Sequence, residues 1–131
     1  MILDTSPLIA ILAKEPDSEL YIGAVSRVRR GGCRISAANF VELSIVIEGQ
    51  FGADVLQQCD ALFRRVSILI EPVTVDQAHA ARQAFHDFGK ARHPAGLNYG
   101  DCFAYALAKT IGEPLLFKGE GFKRTDIASA L

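Results

Sequence analysis

The sequence has few cysteines, no long apolar run and no excess of charge of one sign. Its three cysteines, Cys33, Cys59 and Cys102, are too scattered for a disulfide framework or a zinc site, which indicates a reducing compartment. No apolar run reaches the roughly 18 residues that a membrane span needs, and Met1 is not followed by the basic segment of a signal peptide. We therefore expect a cytoplasmic protein that has no membrane segment.

The charge balance excludes a strong general attraction to nucleic acid, because 14 Lys and Arg residues face 15 Asp and Glu residues and the net charge is −1. Basic residues do form three local clusters, each of which is typical of solvated helix ends. The clusters are Arg27 to Arg34, Arg64 with Arg65, and Lys118 to Arg124. The hypothesis that such a cluster binds phosphate is favoured only if an acidic catalytic centre lies beside it.

Length and composition indicate one globular domain over residues 1–131, since half of the residues are hydrophobic and 22% are charged. Short apolar strands alternate with helices along it. The strands are predicted at 1–4, 33–36, 68–73 and 115–117, and the helices at 5–13, 18–30, 37–49, 53–66, 75–92 and 99–111. This alternation predicts an α/β fold whose parallel sheet is covered on both faces. In such folds the working site lies beyond the carboxyl ends of the strands.

Three carboxylates stand among apolar neighbours, where a surface acid is not expected. Asp4 follows the apolar strand MIL, Glu42 lies in NFVELSIVI, and Asp101 lies in the first turn of YGDCFAYALA. A buried carboxylate is costly unless it is paired or binds a metal, and three of them together would repel one another and raise their own pKa values. A divalent cation resolves this conflict, and oxygen ligands suit Mg²⁺ or Mn²⁺.

Each of these acids has a simpler interpretation when it is taken alone. Asp4 can cap the helix that begins at Thr5, and Asp101 can be a favourable charge in the first turn of its helix. Glu42 can be a partly exposed helix residue. Only the three together, in one small α/β fold, favour a metal site, and they are our candidate catalytic and metal-binding residues.

Four segments of the chain, taken in order, resemble one known family. MILDTSPLIAIL, ISAANFVEL, LNYGDCFAYALAK and LLFKGEGF are similar to segments of the PIN-domain ribonucleases, and among these to the VapC-type toxins of toxin–antitoxin pairs. The resemblance implies a three-layer α/β/α sandwich with a central parallel sheet and with Asp4, Glu42 and Asp101 as ligands of Mg²⁺ or Mn²⁺. Ser6 and Asn39 fall at polar positions that flank the acids in such proteins.

The last of these segments departs from the family pattern. Many members have a fourth acid in a segment similar to LLFKGDDF, whereas this chain reads LLFKGEGF. Glu120 is the nearest candidate for the fourth acid and Asp126 is a second one. The number of metal ions therefore stays open at this stage.

The function that these residues favour is metal-dependent hydrolysis of RNA phosphodiester bonds. The resemblance implies further that the protein is a toxin, forms a homodimer and is blocked by a cognate antitoxin. One alternative is a phosphoacceptor receiver domain, which also has acids at strand ends and a lysine after a late strand, as Lys118 is here. A receiver needs an aspartate at the end of a central strand, and ILIEPVT offers only Glu71. The other alternative is a non-catalytic interaction module.

Overall fold

A computed structural model describes all residues from 1 to 131. Its four strands are β1 (Ile2–Leu3), β2 (Arg34–Ser36), β3 (Leu69–Glu71) and β4 (Leu115–Leu116). Its six α-helices are α1 (Thr5–Leu12), α2 (Ser18–Ser26), α3 (Ala37–Phe51), α4 (Ala53–Val66), α5 (Val75–Phe88) and α6 (Tyr99–Ile111). A short 3₁₀ helix, Phe122–Arg124, follows β4. None of the helices is long and apolar enough to cross a membrane.

The strands form one parallel sheet in the order β3-β2-β1-β4. The two central strands are thus β2 and β1, whose carboxyl ends lead into α3 and α1. The polar tail also joins the sheet, because Ser129 forms a parallel bridge with Leu115. Glu71, the only acid that the receiver alternative could use, ends an edge strand and makes an ion pair of 3.5 Å with Arg34.

Alternation along the short strands divides the core into two halves. Ile2 and Leu115 are fully buried against α5 and α6, whereas Leu3 and Leu116 are fully buried against α1 to α4. Helices therefore cover both faces of the sheet, which confirms the predicted three-layer α/β/α sandwich. Each layer of helices needs its own apolar surface, and this explains why half of so short a chain is hydrophobic.

Two helices end four residues earlier than the sequence predicts. α2 stops at Ser26 instead of Arg30, because the chain tightens into turns in which Val28 N–H donates to the Val25 carbonyl and Gly32 N–H to the Arg29 carbonyl. α5 stops at Phe88 instead of Arg92.

The early end of α5 follows from Gly89. Its backbone is extended (φ −68°, ψ 158°) and forms a bridge with Leu97, which closes the loop between α5 and α6. A Cβ atom at Gly89 would overlap the Phe85 carbonyl and lie 2.6 Å from the Phe85 ring. Glycine is therefore required where the chain leaves the helix, and the closed loop delivers the chain to the start of α6.

Candidate active site

Asp4 lies at the junction of β1 and α1, at the carboxyl edge of the sheet. Its side chain is 4% exposed and caps α1 by accepting hydrogen bonds from the Ser6 N–H (3.1 Å) and the Ser6 hydroxyl, both through Oδ2. The Ser6 Oγ in turn accepts from the Lys118 N–H at 3.0 Å, which ties this junction to the end of β4. Burial raises the pKa of Asp4, although the Ser6 hydrogen bonds oppose that shift.

Asp101 is the third residue of α6 and belongs to a reciprocal capping box. The Asn98 side chain accepts from the Asp101 N–H, and Asp101 Oδ2 accepts from the Asn98 N–H, each at 2.9 Å. The pKa of Asp101 is raised to about 6, first by burial and also by the charges of Asp4 and Glu42, while the Asn98 hydrogen bond lowers it. The carboxylate is therefore both a helix cap and a destabilised charge.

Glu42 projects from the second turn of α3, a helix that Ser36 caps at the end of β2. Its Oε2 accepts a hydrogen bond of 3.2 Å from the side-chain amide of Asn39. The pKa of Glu42 is raised, first by burial and also by the charge of Asp4, while the Asn39 hydrogen bond lowers it. The carboxylate lies against Gly100, the residue that precedes Asp101.

The structure thus brings the three sequence-predicted acids into one electrostatic group. Asp4 and Glu42 both act on the pKa of Asp101, and Asp4 acts on that of Glu42. None of the ion pairs in the fold includes any of the three. Three half-buried or buried carboxylates without a cationic partner are the donor set that a hard divalent cation accepts.

The side-chain positions are nevertheless not those of a closed metal site. No three acidic, histidine or cysteine side chains lie close enough together to hold one ion directly. Asp4 and Asp101 each direct Oδ2 toward a backbone N–H of a helix cap, so the remaining carboxylate oxygen is the one free to turn toward an ion. Residue chemistry fits a divalent cation here, whereas a complete coordination shell would need waters or small side-chain rotations.

The lysine nearest to the group is already neutralised. The Lys118 ammonium binds Asp17 at 2.8 Å and also Glu15, which raises its pKa. Asp17 therefore precedes α2 without capping it by its side chain. Lys118 reaches the acids only through its backbone N–H and Ser6, so it does not discharge the carboxylates.

The two candidates for a fourth acid are both engaged elsewhere. Glu120 is exposed and bonds Lys123 at 2.7 Å within its own turn. Asp126 accepts hydrogen bonds of 2.7 Å from Lys109 and from the Tyr105 hydroxyl, which lower its pKa and tie the tail to the middle of α6. Neither contributes to the raised pKa of Asp101.

Sequence reasoning did not single out Gly100, which nonetheless contacts the site. The available signal was a glycine inside the first turn of an otherwise well-formed helix, directly before a candidate ligand. Glycine is unfavourable in a helix, and here the carboxylate of Glu42 occupies the space where a side chain would stand.

Fold and site together define the class of the protein as an α/β/α sandwich with unpaired carboxylates at the carboxyl edge of its parallel sheet. The model of the PIN domain family matches residues 1–128. Ribonuclease VapC of Mycolicibacterium smegmatis is 52% identical to this chain, with 98% of both chains covered. Ribonuclease VapC30 of Mycobacterium tuberculosis is 47% identical, with 98% of this chain and 97% of that protein covered. The chain therefore belongs to the PIN domain family, among the VapC ribonucleases.

Solved structures agree with this fold. The VapC20 toxin of Mycobacterium tuberculosis, which cleaves the sarcin–ricin loop, superposes with a TM-score of 0.78 at 14% identity and covers 97% of this chain and 95% of that one. VapBC2 of Rickettsia felis, solved on a promoter DNA fragment, gives a TM-score of 0.71 at 15% identity, with 98% and 94% covered. The predicted family is confirmed, and the receiver alternative is excluded.

Proposed function

We propose that this PIN-domain ribonuclease is a Mg²⁺- or Mn²⁺-dependent endoribonuclease in which Asp4, Glu42 and Asp101 are the metal ligands and catalytic residues. The observation that carries the proposal is the group of three carboxylates in which Asp4 raises the pKa of Glu42 and both raise that of Asp101, while no basic side chain pairs with any of the three. Helix caps that merely stabilise the fold have no need of such mutual repulsion.

The chain's own residues prepare this site. Ser6 holds Asp4 through Oδ2, and the Asn98 N–H holds Asp101 in the same way, so each cap fixes the direction of a carboxylate. Asn39 orients Glu42. A bound divalent cation would supply charge neutralisation, an activated water and polarisation of the scissile phosphodiester. Exposed arginines and lysines at the rim of the site would hold the RNA backbone.

The protein's biological role follows from its relatives. VapC ribonucleases share the whole length of this chain, and one structural neighbour, from Klebsiella pneumoniae, was solved as a toxin–antitoxin complex and gives a TM-score of 0.70 at 14% identity. We propose that this chain is likewise the toxin of a pair, that it acts in the cytoplasm as a homodimer, and that a cognate antitoxin binds near the three acids and blocks them.

The first test measures cleavage of a labelled RNA by the purified chain after exhaustive chelation and dialysis. Activity is expected to disappear and to return on addition of Mg²⁺ or Mn²⁺. Cleavage that continues undiminished without divalent ions would contradict the proposed mechanism.

The second test compares substitutions that keep shape and remove charge. Asp101→Asn is expected to abolish cleavage, because the substituted amide does not neutralise a divalent ion. Asp76→Asn is the matched control, since Asp76 is an exposed acid in the first turn of α5, and it is expected to cleave at the wild-type rate. Equal activity of the two variants would refute a ligand role for Asp101.

A further inference from the structure

We propose that Gly100 and Asn39 are positioning residues that hold the Glu42 carboxylate against the first turn of α6, beside Asp101. The inference rests on the proposed role of Glu42 as a metal ligand. It assigns a purpose to two residues that neither bind the ion nor contribute to the apolar core.

Gly100 leaves the space that the Glu42 carboxylate occupies. It is the second residue of α6, and its φ lies outside the left-handed region, so conformational freedom does not explain a glycine there. A Cβ atom at this position would overlap the Glu42 carboxylate, lying 2.6 Å from Oε2 and 2.7 Å from Cδ. The three atoms nearest to that Cβ all belong to this one carboxylate. Any side chain at residue 100 would therefore drive Glu42 away from α6.

Asn39 contributes the hydrogen bonds. It lies one helical turn before Glu42 and is fully buried. Its Nδ2 donates to Glu42 Oε2 at 3.2 Å and to the Gly100 carbonyl at 2.9 Å. Because both partners are acceptors, the orientation of the amide is fixed. Its Oδ1 accepts no hydrogen bond within the protein, so the two donations alone determine how the amide is held.

The two residues act on one carboxylate from opposite elements. Asn39 holds it from within α3, and Gly100 admits it to the surface of α6. The shared donor also links the carboxylate to the backbone of the residue before Asp101. The placement of Glu42 beside Asp101 is thus determined by the contact of α3 with α6, since the flexible glutamate side chain alone would not specify it.

The test measures Mn²⁺ affinity by calorimetry for the wild type, Gly100→Ala and Gly49→Ala. Gly49 is the matched control, because it lies on α3 and a Cβ atom there would meet nothing within 4 Å. Gly100→Ala is expected to weaken Mn²⁺ binding by roughly 10- to 100-fold, the usual range for residues that orient a ligand. Gly49→Ala is expected to bind as the wild type does. Unchanged affinity in Gly100→Ala would overturn the inference.

A second measurement separates this inference from the metal site itself. Urea midpoints in EDTA are compared for Gly100→Ala in the wild-type and in the Glu42→Ala background. An alanine at residue 100 favours the helix in both backgrounds, but it collides with the Glu42 carboxylate only in the wild-type background. The Gly100→Ala substitution is therefore expected to raise the urea midpoint more in the Glu42→Ala background. Equal changes would refute the contact. A wild type that binds no Mn²⁺ would refute the metal site, and the urea comparison would still decide the positioning of Glu42.

Discussion

The raised pKa of Asp101 predicts that the metal-free protein becomes more stable as the pH falls from 7 to 5. The pKa lies near 6 in the folded state and at 3.8 ordinarily. The folded protein therefore binds this proton more tightly than the unfolded chain does. The resulting stabilisation is complete below the unfolded pKa and is lost as the pH rises through the folded pKa.

The magnitude follows from the size of the shift. One pKa unit corresponds to about 1.4 kcal/mol, so the shift sets an upper bound of about 3 kcal/mol for Asp101. Between pH 7 and pH 5 only the part of the shift that lies above pH 5, about one unit or about 1.4 kcal/mol, is realised. Because the carboxylate is partly exposed, solvent screening reduces the expected gain to about 1 kcal/mol. Acids whose pKa is lowered, Asp17, Glu113 and Asp126, act in the opposite direction, but their contribution is lost only as the pH falls through folded-state pKa values that lie below the ordinary ones of 3.8 and 4.5. The window from pH 5 to 7 therefore reports on the carboxylates whose pKa is raised, and since Asp4 and Glu42 belong to them, the share of Asp101 has to be measured against a variant that lacks its charge.

The assay is the urea midpoint in EDTA at pH 5, 6 and 7 for the wild type and Asp101→Asn. Asparagine can still accept the hydrogen bond of the Asn98 N–H, so the capping box is retained while the titrating charge is lost. The wild type is expected to gain about 1 kcal/mol on acidification from pH 7 to pH 5 relative to this variant. Parallel profiles for the two proteins would refute the electrostatic reasoning.

Three further outcomes are expected. Asp4→Asn should stay within about 1 kcal/mol of the wild type or exceed it in metal-free buffer, since Asn caps as well as Asp, while calorimetry should detect no Mn²⁺ binding; retained affinity would contradict the ligand role. Asn39→Asp should lower the free energy of unfolding by about 1–3 kcal/mol at pH 7, because an oxygen would face the Gly100 carbonyl and Glu42. The loss should shrink at pH 5, where the introduced carboxyl group is protonated more readily in the folded state than in the unfolded one, and a loss independent of pH would refute this explanation. Expression of the chain alone in bacteria should arrest growth and a co-encoded antitoxin should relieve the arrest, whereas harmless accumulation of folded protein would count against the toxin role.

The arrangement of the fold, with helices on both faces of a parallel sheet, was predictable from the sequence because apolar residues recur with different periods in strands and in helices. The buried pairs Ile2–Leu3 and Leu115–Leu116 lie within predicted strands, and the predicted bounds of α6, 99–111, are those of the structure. The ends of α2 and α5 were not predictable, because they depend on turns and on a bridge between Gly89 and Leu97 that forms only in the folded chain. Local sequence specified the elements, and tertiary contacts specified where two of them stop.

The candidate acids could be chosen from the sequence, but their contacts could not. A carboxylate among apolar residues is visible in sequence, which selected Asp4, Glu42 and Asp101 as candidates, and the family resemblance added Ser6 and Asn39 as flanking polar positions. The contacts of Gly100 and Asn39 with Glu42 join α3 to α6 over 61 residues of chain. No local pattern reports such a contact, so the supporting residues needed the structure.

Capping and metal binding, posed as alternatives for Asp4 and Asp101, are compatible in one side chain. Each aspartate gives Oδ2 to a backbone N–H at the start of its helix, and Oδ1 takes no part in that bond. The capping hydrogen bond then fixes the side-chain rotamer, so less conformational entropy is lost when a metal ion binds. The burial that makes the cap effective also raises the pKa of both carboxylates. For Asp4, which is the N-cap of α1, a serine would cap as well without any charge. In the proposed function the charge of both aspartates is therefore what would bind the cation, and the capping hydrogen bonds only orient it.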